Sequence, residues 1–282
     1  VNYALMIGSV WLVLAFKSSS NLAGAYGVSV SLTMVITTFL AFYVARRHWD
    51  WSRAFALFVC GFFLIIDLGF LSANAMKISH GGWLPLALGA GMALLMATWR
   101  EGRKILVQRI KASTPPFREF LPRVLKDQSI RRVKGTSVFM VGDVEMTPPA
   151  MVHNVKHNKV LHEQVLILTV LTLEVPYMEP GERLKIDQVA DGAFKVEAYY
   201  GFMETPDVMA LMAKIKKEGV DLVIPEVTFF VGRETLIASD RPGMAIWREH
   251  IFAFMARNAH RATQFFNIPA DQVIEVGMQV EL

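Results

Sequence analysis

The first third of the chain alternates long apolar runs with short polar breaks. Tyr3–Phe16, Leu22–Val44, Ala54–Ala75 and Trp83–Trp99 are each dominated by apolar side chains. About 17–25 such residues cross the hydrocarbon core of a bilayer, so the last three have spanning length and the first is short. Trp11, Trp49, Trp51, Trp83 and Trp99 mostly flank these runs, where aromatic belts sit. After Trp99 the pattern changes. The stretch REGRKILVQRIKASTPPF predicts a basic helical continuation of the fourth run, stopped by Pro115 and Pro116. Shorter elements follow. TSVFMV reads as a strand, PPAMVHNVKHNKV as an amphipathic helix opened by proline, and QVLILTVLTLEV as a buried strand. FKVEAYYGF alternates as a strand does. TPDVMALMAKIKKEG predicts a helix with a Thr cap and a Gly stop. EVTFFVGRETLI reads as a strand or hairpin, GMAIWREHIFAFMARNAH as a long amphipathic helix, and QVIEVGMQVEL as a closing strand. The expectation is a membrane all-α domain over residues 1–112, then a small α/β (α+β) domain over residues 113–282, with no internal repeat.

Charge sharpens that division. The chain has 29 basic and 25 acidic residues. Before Arg100 the charged residues are Lys17, Arg46, Arg47, Asp50, Arg53, Asp67 and Lys77, and no others. The break after the second run carries Arg46, Arg47 and Arg53, and the stretch after the fourth is rich in Arg and Lys. The other two breaks offer only Lys17 and Lys77. Basic loops stay inside, so the chain is expected to cross the plasma (bacterial inner) membrane four times and leave its later domain in the cytoplasm. Much of the basic excess behind the net charge of +4 therefore sits beside the apolar runs. No recognition motif accompanies it, so nucleic acid is not an expected partner. A single cysteine, Cys60, lies in an apolar run and can make no intrachain disulfide. No basic n-region or cleavage site marks a signal peptide. The sequence starts at Val1 with an apolar run under way, and the expectation is a fragment lacking its N-terminal portion.

The chemistry of enzymes is missing from the pattern. There is no G-x-x-x-x-G-K-S/T, no G-x-G-x-x-G and no G-x-S-x-G, so neither a cofactor nor a catalytic residue is expected. His153 and His157 lie four apart with His162 nearby, but no third ligand stands at fixed metal-binding spacing, and a solvated polar face is the simpler reading. Glu145, Glu163, Glu174 and Glu179 show no spacing of paired acids. In SHGGW, Gly81 and Gly82 supply a turn ahead of Trp83.

Two features of the apolar third stand out. Asp67 is an acid inside the third run, where a carboxylate usually faces a bundle interior or a cavity. It is either a structural carboxyl bonded to a neighbouring helix or part of an ion path. The second run, placed on a helix at about 100° per residue, gathers Tyr26, Ser29, Thr33 and Thr37 within about 80°. Ala23, Gly27 and Ser31 form an adjacent small-residue stripe suited to packing on another helix, and Val28, Leu32, Val35 and Phe39 take the opposite, lipid-facing side. The hydroxyl stripe either bonds helices together or lines a cavity for a solute or ion.

These residues also carry a resemblance. SSSNLAGAYGVSVSLTMVITT, IDLGFLSANAMKISHGGWLPLALG, MATWREGR, RPGMAIWREHIFAFMARNA and FFNIPADQVIEVGMQVEL resemble, in order and over nearly the whole chain, the Kup (KUP/HAK/KT) potassium uptake permeases. One departure is Ser31-Leu32-Thr33-Met34, where the family more often has Thr-Gly-Thr-Met; Leu32 weakens any case for close backbone approach at that point. The resemblance implies about twelve spans in an amino-acid-permease-like (LeuT-type) bundle, followed by a cytoplasmic domain. It implies secondary active uptake of potassium with protons as the coupled species. This chain would hold the last four spans and the tail. Its expected partners are the lipid bilayer, potassium and the missing N-terminal spans, and a homodimer stays open. Tyr26, Ser29, Thr33, Thr37 and Asp67 are the ion-pathway candidates. Two other classes remain: a related permease for another small solute such as an amino acid, and a membrane-anchored cytoplasmic sensor. The hydroxyl stripe argues against a mere anchor.

Overall fold

A computed structural model describes residues 2–179, 181–237, 239, 243–259 and 265–281. The chain forms two compact units, Val1–Ala97 and Thr98–Leu282.

In the first unit each of the four apolar segments is helical: α1 (Asn2–Phe16), α2 (Ser19–Arg47), α3 (Arg53–Ala75) and the first part of α4 (Trp83–Ser113). Two of them, α2 and α3, are long and apolar enough to cross a bilayer, and the apolar stretch of α1 is the shorter Leu5–Phe16. Serine side chains start α2 and α3. Ser18 Oγ accepts the Asn21 N–H and Ser52 Oγ accepts the Phe55 N–H, both at 3.2 Å. α2 and α3 pack side by side, and the short helical turn Ile78–His80 seats on α2. Gly81 closes that turn at φ +125°, and a Cβ there would meet the Asn21 carbonyl oxygen at 2.6 Å. From Ala87 to Ala97 every residue of α4 is exposed, as befits a surface that meets lipid or further helices.

The second unit contains α5 (Phe117–Lys126), β1 (Arg131–Met140), α6 (Pro149–His153), β2 (Val160–Leu173), β3 (Leu184–Ala190), β4 (Ala193–Gly201), α7 (Val208–Lys217), β5 (Val227–Ile237), α8 (Ile246–Arg257) and β6 (Val273–Glu281). The six strands form one mixed sheet in the order β3-β4-β2-β1-β5-β6. Only the β3–β4 pair is antiparallel. β2 reads as an unbroken apolar run because it is covered on both faces: Val165 to Leu168 are all buried. On one face Val138, Leu166 and Val196 pack with Leu211, Met212 and Ile215 of α7. On the other, Phe139 and Phe230 stack at 4.7 Å beneath α5 and α6.

Several expectations change. By contacts the chain divides at Ala97/Thr98, inside α4, and the second part of that helix groups with the sheet unit. Ile105, Leu106 and Ile110 pack with Met244 and with Phe252 of α8, and Lys111 pairs with Asp143 at 2.5 Å. α7 is capped by Asp207, which accepts the Ala210 N–H at 3.0 Å, and not by Thr205. The helix expected over 148–160 stops as α6, passes through a π-helical turn, Asn154–Asn158, and ends at Lys159 with φ 56°. EVTFFVGRETLI forms one strand and no hairpin. The helix expected to reach His260 is seen as α8; His260 itself lies outside the described residues. β3 and α5 were not legible in the sequence. β3 is an edge strand whose apolar face is short: Leu184 and Ile186 pack against the core, while Lys185, Asp187, Gln188 and Val189 are exposed.

Candidate functional site

α2 and α3 run together because small groups and one amide let them approach. A Cβ on Gly27 would meet Asn74 Oδ1 at 2.6 Å. Asn74 donates to the Phe70 carbonyl at 3.1 Å and accepts from Lys77 Nζ at 3.2 Å, which fixes its amide. At the other end the break between the helices is tied back by Arg46, whose guanidinium donates to the Trp51 carbonyl.

Between the two helices lies a cleft of about 590 Å³. All five pathway candidates line it: Tyr26, Ser29, Thr33 and Thr37 from α2, and Asp67 from α3. Trp49 and Trp51 stand at one end, and Val30, Met34, Val59, Cys60 and Phe63 supply apolar wall. Among the described residues no basic side chain lines the cleft. Tyr26 is 72% exposed and Asp67 only 4%. The cleft thus presents hydroxyl, phenol and carboxylate oxygens in an otherwise apolar setting, a set of acceptors suited to a cation.

The hydroxyls differ in how they are used. Thr33 Oγ1 donates to the Ser29 carbonyl at 2.8 Å, and Ser31 Oγ to the Gly27 carbonyl at 2.7 Å, so both are satisfied on their own helix. Thr38 does otherwise: its Oγ1 donates across to Asp67 Oδ2 at 2.5 Å. Thr38 was missed in the sequence because it falls outside the arc of the hydroxyl stripe. On the helical wheel it falls instead between Gly27 and Ser31, on the small-residue stripe expected to meet another helix, and that was the signal for it.

The packing stripe needs correction. Gly27 meets α3 and Ser31 is buried, but Ala23 is exposed; the buried face of α2 is Gly24, Ala25, Val28, Ser31 and Val35. Val28 and Val35, expected on the lipid side, are 2% and 9% exposed. For Val28 the reason is the docked turn after α3: Gly82 lies against Val28, and Gly24 sits beneath Lys77 and His80.

A second cavity of about 480 Å³, within the sheet unit, is lined by His153, His157 and His162 together with Asn154, Asn158 and Phe230. The His153 and His157 rings lie 5.8 Å apart. His162 Nδ1 is buried without a hydrogen-bond partner among the described residues. Burial, helped by the charge of Arg132, pushes the His162 imidazole below its ordinary value. Among the described residues no group of three or more His, Cys, Asp or Glu side chains is placed to hold a metal ion.

Comparison with known proteins bears on both units. Residues 1–104 match the family described as K+ potassium transporter integral membrane domain, and residues 134–282 match the K+ potassium transporter C-terminal domain. The probable potassium transport system protein Kup of Myxococcus xanthus is 48% identical over 282 residues, covering 100% of this chain and 43% of that protein. The corresponding protein of Bdellovibrio bacteriovorus is 46% identical over 288 residues, covering 100% and 43%. Kup 1 of Paramagnetospirillum magneticum is 47% identical over 281 residues, covering 100% and 44%. The chain spans less than half the length of these curated relatives.

Proposed function

The chain belongs to the Kup potassium transporter family, whose members are integral membrane transporters and not enzymes, and on that premise we propose that it works as part of a longer secondary active permease that takes up potassium with protons. In this reading the four helices of the first unit all cross the membrane, as part of a LeuT-type bundle, and the sheet unit lies in the cytoplasm. The basic residues after α2 and within α4 support that orientation.

One observation carries the reading. Tyr26, Ser29, Thr33, Thr37 and Asp67 come from two helices, yet they line a single cleft in an apolar unit. Potassium gives up water readily when protein oxygens replace it, and neutral hydroxyls and carbonyls suit that exchange. A mere membrane anchor has no use for such a cleft.

The test is potassium uptake by the full-length gene product. Tyr26→Phe removes one oxygen and keeps the ring, so it should raise the KM for potassium while leaving the amount of inserted protein unchanged. Cysteines placed singly at 26, 29, 33 and 37 should react with aqueous thiol reagents. Cys60 lines the same cleft and must first be replaced by alanine. Unchanged uptake in Tyr26→Phe, together with four unreactive cysteines, would show the hydroxyl stripe to be helix packing alone.

A further inference from the structure

We propose that Thr38 is a positioning residue for Asp67, and that the pair acts on a monovalent cation in the α2–α3 cleft as one unit. The inference rests on reading that cleft as the solute path.

Asp67 is 4% exposed in a unit whose outer surface is apolar. A carboxylate in such a place is costly unless it is hydrogen-bonded and its charge is met. The hydrogen bond is present: Thr38 Oγ1 donates to Oδ2 at 2.5 Å, from a residue 29 positions earlier on the neighbouring helix. The countercharge is not, because among the described residues no basic side chain lines the cleft. The site therefore offers one carboxyl group and several neutral oxygens with no cationic side chain to meet them. That set matches a singly charged cation; a divalent ion would call for more carboxylates.

The direction of the hydrogen bond gives Thr38 its role. Ser31 and Thr33 spend their hydroxyl protons on carbonyls of their own helix. Thr38 directs its proton at Asp67, which holds Oδ2 and fixes the plane of the carboxyl. The lone pairs of Thr38 Oγ1 stay available, and the second carboxylate oxygen is left for the cation. Removing the Thr38 hydroxyl would leave Asp67 in place but free to turn, so affinity should suffer before rate.

The experiment measures KM and Vmax for potassium in the full-length gene product, normalised to inserted protein. Thr38→Val keeps the shape and removes the hydroxyl. It should raise KM about tenfold, the effect of losing one hydrogen bond to a charged group, with Vmax within about twofold. Thr38→Ser should restore KM. In an Asp67→Asn background Thr38→Val should add nothing, because its partner is already gone. A fall in Vmax at unchanged KM, without rescue by serine, would make Thr38 merely structural. Multiplying effects in the double variant would overturn the pairing. Asp67→Asn raising KM while Thr38→Val does not sinks this inference alone; Asp67→Asn with both constants unchanged sinks the placement of Asp67 on the path. If the Asp67 variant fails to insert, Thr38→Cys in a Cys60→Ala background gives a second measurement in isolated membranes. Potassium, compared with choline, should slow modification of that thiol at least several-fold, and equal rates would overturn the proposal.

Discussion

The buried side of α2 is made of Gly24, Ala25, Val28, Ser31 and Val35, whereas the buried faces of the sheet are made of Phe139, Phe229, Leu161, Leu166 and Ile167. Outside, the contrast reverses. Phe58, Phe62, Ile65 and Met96 are exposed on the helical unit, while the sheet unit shows charges paired across its surface, such as Lys195 with Glu145 at 2.8 Å. In water the hydrophobic effect rewards hiding large side chains, so the sheet unit gathers them inside. Against lipid that reward vanishes, and helices associate through close approach and a few hydrogen bonds. The same residue type therefore carries different weight in the two units. A phenylalanine is core in one and surface in the other, and a buried polar contact is incidental in one and organising in the other.

The largest test of this contrast deletes aromatic rings. Expressed without the first 97 residues, the sheet unit should unfold cooperatively, and Phe139→Ala should destabilise it by about 3–5 kcal/mol in a denaturant titration. Phe58, 75% exposed on α3, should be replaceable by alanine with little change in the detergent-solubilised melting temperature of the full-length protein. A large loss at Phe58 would mean that another helix covers it.

A smaller effect comes from adding one methyl group. Gly102 lies against the ring of Phe252, which is fully buried, and a Cβ there falls inside van der Waals contact. Gly102→Ala should cost about 1–3 kcal/mol. Gly61 in α3 has nothing within 4 Å of a Cβ, and Gly61→Ala should melt as the parent does.

Between pH 5.5 and 7.5 the pH dependence of the sheet unit should be modest and of one sign. The folded His162 binds its proton less readily than the unfolded one, because burial disfavours the charged ring. The unfolded chain thus takes up more protons in the acid range, and stability rises with pH there. The contribution is complete above about pH 6.5, the unfolded value, and is lost as pH falls toward the depressed folded value. Melting curves at pH 7.5 and 5.5 should show this loss, and His162→Gln should flatten it. A steeper loss in the variant would reverse the assignment.

The smallest effect is expected at the surface. Glu119 and Arg123 on α5 face each other at 4.0 Å with both side chains largely exposed, and Glu119→Gln should change stability by less than about 0.5 kcal/mol. A measurable cost would mean that this pair is less wet than its exposure suggests.

Much of the architecture was legible before any coordinates. The four apolar helices, the strands at TSVFMV, QVLILTVLTLEV and FKVEAYYGF, and the helix after Pro206 follow from local periodicity, which neighbours a few residues apart impose. The hydroxyl stripe on α2 was legible for the same reason, since the 100° step of a helix is a local rule. β3 and α5 were not, because each depends on a partner that the sequence does not point to: β4 for the strand, and the face built on Phe139 and Phe230 for the helix. The packing of the second part of α4 was not legible either: its inward face, Ile105, Leu106 and Ile110, meets Met244 and Phe252 far along the chain.

The sequence by itself determined which segments are helices, which of them suit lipid, and that oxygen-bearing side chains share one face of α2. Only the tertiary structure decided which side of α2 is buried, that Ala23 is left outside, and that Asp67 meets Thr38. Helical periodicity fixes the angle between residues on one helix, but not the rotation of that helix about its own axis. That rotation was set where the Gly81–Gly82 turn docks beside Val28 and where Gly27 admits Asn74, and those two contacts bring the hydroxyl of Thr38 to the carboxylate of Asp67.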